Sequence, residues 1–161
     1  MNLTKLLYPS HPDTPVSGGL LFLRLIAGFG MFLHGFPKML NPFGWMPPEA
    51  PIPGILQFFA AFTECFGGLA LMLGALTVPA SIGIAGTMVV AALIGHVVPG
   101  DPFVRLFAEE GATLPGIPAF IATGGQGGSY ELALLYLGIT VVLALVGPGR
   151  LSLDHRFFGR S

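Results

Sequence analysis

The stretch Gly18–Leu40 reads GGLLFLRLIAGFGMFLHGFPKML. It exceeds the run of about 20 apolar residues that crosses roughly 30 Å of hydrocarbon, so it reads as a membrane span. Yet it carries Arg24, His34 and Lys38. An ionisable group at the centre of a bilayer costs about 2.5–3.5 kcal/mol on insertion scales, and each therefore needs a reason. At about 100° per residue, Lys38 falls about −40° and His34 about −80° from Arg24 on the helical wheel. All three share a quarter of the circumference, near the small residues Ala27 and Gly30. That face is expected to look into a helix bundle.

Three further stretches have the same character: Gly54–Leu76, Pro79–Val98 and Tyr130–Gly147. The expected fold is all-α, an integral membrane four-helix bundle made of one domain over residues 1–161. Composition agrees. The chain is 53% hydrophobic and 9% charged, against roughly 25% charged in a soluble domain. With a mean hydropathy of +0.78, this excludes a water-soluble enzyme and makes the lipid bilayer the first partner. A net charge of −1 gives no basic surface for nucleic acid. The single cysteine, Cys65, excludes a disulfide framework, a zinc finger and a Cys-x-x-Cys relay within the chain.

The connections set the topology. Asn41–Pro53 is proline-rich and holds Trp45, suited to anchor at the membrane interface. Only Thr77 and Val78 separate the second and third spans. In the long connection Pro99–Ser129, Asp101-Pro102 reads as an N-cap with proline at the first helical position. Phe103, Leu106 and Phe107 follow at helical spacing, so a short amphipathic helix is expected there, with Gly111–Gly128 as loop. Lys5 precedes the first span, and Arg150, Arg156 and Arg160 follow the fourth, while the long connection carries Asp101, Glu109 and Glu110 against Arg105. Counting positive charges places both termini in the cytoplasm and both long loops outside, an N-in/C-in arrangement.

In that orientation His34, Lys38, His96 and Glu131 fall in the outer half of the membrane and Glu64 near its midplane. Glu64 lies on a small-residue stripe with Ala60 and Gly68, and Gly83, Thr87, Ala91 and Gly95 form another on the third span. His96 lies one position beyond that second stripe. Two readings stand side by side. In one, His34, Lys38, Glu64, His96 and Glu131 line an outward-biased pocket for a ligand or a proton relay. In the other, Arg24 and Glu64, about 9 Å apart in depth, form an ion pair that fixes helix register. Lys38 and Glu131 then snorkel to the headgroups, and His34 serves the Leu33 carbonyl that Pro37 leaves without a donor. His96 becomes an interface residue. Two histidines without supporting partners make neither a metal site nor a haem site.

Two local sequences are more specific: Arg24-Leu25 with Phe32-Leu33-His34-Gly35-Phe36-Pro37-Lys38, and Gly147-Pro148-Gly149-Arg150-Leu151-Ser152-Leu153-Asp154 after the last span. With Glu64-x-x-Gly67-Gly68 and Glu131-Leu-Ala-Leu-Leu-Tyr136 between them, the chain resembles the DoxX family of small bacterial four-helix membrane proteins from about Leu20 to Asp154. The long connection Pro99–Ser129 departs from the shorter members. The resemblance implies a multi-pass protein of the bacterial inner membrane, associated with a thiosulfate:quinone oxidoreductase or related systems. It also implies roles for Arg24, His34, Lys38, Glu64 and Arg150. The function expected is an accessory subunit that binds quinone or another small molecule, working with a protein partner or as a homo-oligomer. The alternatives are a non-catalytic scaffold subunit and, behind it, a small transporter. No nucleophile, metal motif or nucleotide loop equips the chain for chemistry alone.

Overall fold

The computed structural model describes residues 14–49 and 52–158. Lys5 and Arg160, used above to orient the chain, lie outside them. In chain order the elements are α1 (Thr14–Lys38), α2 (Gly54–Leu73), α3 (Thr77–Val97), β1 (Val104–Leu106), β2 (Ala122–Gly124), α4 (Glu131–Val146) and α5 (Leu153–Phe158). The residues group into two units, Met1–Thr87 with Ile139–Ser161, and Met88–Gly138.

Helices α1, α2 and α3 are long and apolar enough to cross a membrane. On α1, Phe22, Ile26, Phe29, Leu33 and Phe36 are all exposed, at helical spacing. An apolar stripe of that length on the outside suits lipid, not water. Helix α4 is apolar but has 16 residues, short of the about 20 that span a bilayer unaided.

In the first unit, α1 and α2 meet through glycine. A Cβ on Gly28 would stand 2.6 Å from the Gly68 carbonyl oxygen, and one on Gly68 would stand 2.6 Å from the Gly28 oxygen. One end of the contact is Gly35, set against the backbone of Glu64 and Cys65. No side chain fits at these positions, so the backbones themselves touch. Two segments depart from α-helix: Thr63–Gly67 within α2 and Ala91–Val97 at the end of α3 are π-helical. Helix α2 ends in a Schellman motif, with Gly74 left-handed (φ 65°) and the amides of Gly74 and Ala75 donating to Leu71 and Ala70.

In the second unit the sequence expectation for Pro99–Ser129 is corrected. The short amphipathic helix is absent there, and β1 pairs in parallel with β2, Val104 opposite Ala122 and Leu106 opposite Gly124. The amides of Phe103 and Val104 donate to Phe120 and Ile121 carbonyls at 3.0 and 2.9 Å, bonds that a helix would forbid. The Asp101 carboxylate contacts His96 and Arg105. Parallel strands need a connection of about a dozen residues or more, and the Gly/Pro-rich run between them supplies it. Helix α4 then starts where Tyr130 and Glu131 amides donate to Pro102 and Phe103 carbonyls.

Candidate functional site

The polar residues of the first unit separate into two constellations. Arg24 is wholly buried, and backbone carbonyls hold both of its terminal nitrogens. Its Nη1 donates to the Leu71 carbonyl at 3.0 Å and its Nη2 to the Leu151 carbonyl at 2.6 Å. Asp154, also buried, accepts the Leu76 and Thr77 amides on its two carboxylate oxygens at 2.8 and 2.9 Å, and its own amide donates to Gly74. A carboxylate is thus set against the N-terminus of α3, where the helix dipole favours negative charge. The chain reaches this position through Gly147 and Gly149, both left-handed, with Gly149 against Ser17 and the Arg150 amide donating to the Ser17 hydroxyl. Ser152 caps α5 by accepting the His155 amide. The Gly147–Asp154 motif therefore stitches residues after α4 to α1 and to the α2–α3 turn. The Arg150 residue itself is exposed.

The second constellation lies at the far end of α1. Lys38 Nζ donates to Glu64 Oε2 at 2.6 Å. The pairing of Arg24 with Glu64 expected from the sequence is corrected: Glu64 is held by Lys38, and Arg24 by carbonyls. The reason is level. Gly35 packs on Cys65, so Glu64 stands beside that turn of α1, and Arg24 is eleven residues or about 16 Å further along. Lys38 reaches down because helical side chains lean towards the N-terminus. Pro37 sits in that last turn of α1, and the helix ends at Lys38.

Above the pair, Lys38 Nζ lies 4.4 Å from the centre of the Trp45 ring, a cation–π contact. Trp45 is steered there by Gln57, whose carbonyl accepts the indole N–H at 3.0 Å. The Gln57 side chain also bonds the Met46 amide and the Ile52 carbonyl, so one α2 residue holds Trp45, Met46 and Ile52 in place. Phe43 stacks on Phe58 beside it, centroids 5.2 Å apart. Exposure within the pair is uneven: 23% of the Lys38 side chain and 4% of the Glu64 side chain is open. Glu64 also sits on the π-turn, and such turns frequently mark functional sites.

His34, one turn before Lys38, is exposed. The second unit carries its own polar network. His96 Nδ1 lies 2.9 Å from Asp101, whose other oxygen is 3.7 Å from Arg105, and Arg105 donates to the Gly128 carbonyl. Glu131, half-buried, opens α4, where a carboxylate suits the helix N-terminus. Sequence reading missed Gln57, Ser17 and Asp154 as organising residues. Asp154 was visible only as the last letter of the Gly-Pro-Gly-Arg motif, and Trp45 only as an anchor.

Residues 19–97 match the DoxX family model, α1 to the end of α3. An uncharacterised protein of Haemophilus influenzae is 29% identical over 140 residues, covering 86% of this chain and 90% of that protein. No solved structure matches the chain.

Proposed function

Starting from residues 19–97 as a DoxX-family membrane region, we propose that the chain is an accessory, small-molecule-binding subunit of a membrane oxidoreductase system. In this reading it crosses the bacterial inner membrane four times, termini inside, and quinone is the ligand with the first claim. The observation that carries it is the Lys38–Glu64 pair under Trp45, a charged couple in an apolar span whose lysine side chain is 23% open. An ammonium has three N–H donors, and Glu64 takes one. A quinone carbonyl suits another. Glu64, behind it, is placed to hold or return a proton, and electrons would come from the partner.

Native mass spectrometry after gentle extraction from the host membrane tests this directly. The expected mass is chain plus ligand, with the ligand lost when Lys38 is replaced by Met and Glu64 by Gln together. A bare chain tied to a larger subunit would move the assignment to the second reading, a scaffold without a ligand. That reading draws on the second unit, where exposed Phe107 and Phe120 flank the two strands and the His96–Asp101–Arg105 network stiffens the segment.

A further inference from the structure

The charge balance at Lys38 and Glu64 restricts what else can enter. The pair is neutral as it stands, and Glu64 is nearly closed off. An incoming group meets Lys38 before Glu64, because the lysine side chain is the more open of the two. If the group is anionic, Lys38 can neutralise either it or Glu64, but not both. A bare carboxylate left in an apolar span is too costly to persist, whereas a protonated one is not. Among the described residues, the cation that an ion pair sets on Glu64 is Lys38. On α1 the neighbouring titratable group is His34, exposed and one turn away. On α2 it is Cys65, and in the loop Glu49, an exposed carboxylate. The α3 residues against this part of α2, Ala80, Gly83 and Ile84, do not titrate.

Building on the small-molecule reading above, we propose that the site takes up a small organic monoanion together with one proton, the carboxylate exchanging for Glu64 on Lys38. The step balances without redox chemistry. One O–H bond forms on the Glu64 carboxylate with a proton from solution, and the N–H donor of Lys38 passes from Glu64 to the ligand oxygen. Net charge at the Lys38–Glu64 site stays at zero before and after. The stacked Phe43 and Phe58 rings and the Trp45 ring favour a planar aromatic body over a compact inorganic anion.

Benzoate is the probe, titrated into the full-length protein in lipid nanodiscs by calorimetry in two buffers of different ionisation enthalpy. Trp45, the one tryptophan in the sequence, provides an independent optical signal. The expected result is uptake of one proton per benzoate and an affinity that falls about tenfold per pH unit, the slope for one linked proton. Glu64→Gln is the decisive variant. It makes the carboxyl permanently neutral, so benzoate should bind without proton uptake and with affinity flat in pH. The variant with Lys38→Met and Glu64→Gln keeps the site neutral and should not bind. Binding without proton uptake in the wild type, or loss of binding in Glu64→Gln, overturns the inference. Capture of a short-chain quinone with no capture of benzoate overturns it too, while leaving the small-molecule reading intact; capture of neither removes both.

Discussion

Arg24 and Lys38 are two cations on one helix, fourteen residues apart, and they are treated in opposite ways. Arg24 is wholly enclosed, fixed by two carbonyls from distant segments, with Asp154 nearby on the α3 amides. Among the described residues, Lys38 pairs with the Glu64 side chain beneath the Trp45 ring, and its own side chain is 23% open. A charge bonded to backbone cannot change partners without unmaking the fold. A charge bonded to a single side chain can. The difference separates architecture from chemistry within one span, although composition and hydropathy rate the two residues alike.

The comparison breaks most severely at Arg24. Replacing it with Met removes two charged hydrogen bonds of about 1.5–3 kcal/mol each, so a stability loss of about 3–6 kcal/mol is expected in detergent unfolding. Next comes Gly35→Ala, whose added methyl would stand 2.7 Å from the Cys65 Cα. It should cost about 1–3 kcal/mol by forcing α1 from α2, and in the same protein weaken ligand capture. Asp154→Asn keeps an acceptor but loses the charge at the start of α3, an effect of about 1–2 kcal/mol with no change in ligand affinity. Neutralising Lys38 and Glu64 together should leave stability within about 1 kcal/mol, since a buried pair often repays only its own desolvation, and yet abolish binding. Smallest of all, His34→Ala is expected to shift stability by less than about 0.5 kcal/mol, read in the same unfolding assay. A large loss at Lys38 and Glu64 with little at Arg24 would invert the assignment.

Much of this was legible beforehand. Spans α1 to α3 are written in hydropathy, and Gly68 stood out on a small-residue stripe suited to close contact, though its partner Gly28 did not. The wheel placed Arg24 and Lys38 on one side of α1 and rise counting put Arg24 within reach of Glu64, but the register of α1 against α2 decided which of them met it. Gly35 against Cys65 sets that register, a contact visible only once two helices are laid together. The segment after α3 misled for a different reason. Asp101-Pro102 is a sound local helix start, but the amides it would have opened are taken by carbonyls of Phe120 and Ile121, seventeen residues on. Local signals do not see such partners. The role of Asp154 was hidden likewise, since its bonds go to residues 76 and 77.

The stitch between Leu151–Asp154 and the rest of the first unit also has a meaning in time. Arg24 enters the bilayer with the first span, long before the Leu151 carbonyl has been synthesised, and the α2–α3 turn waits as long for Asp154. Until then the growing chain holds a charge in hydrocarbon with an incomplete set of partners. The last residues of the motif supply the final partners of the first unit, and a chain ending before them leaves Arg24 without the Leu151 carbonyl and the α2–α3 turn without the Asp154 carboxylate.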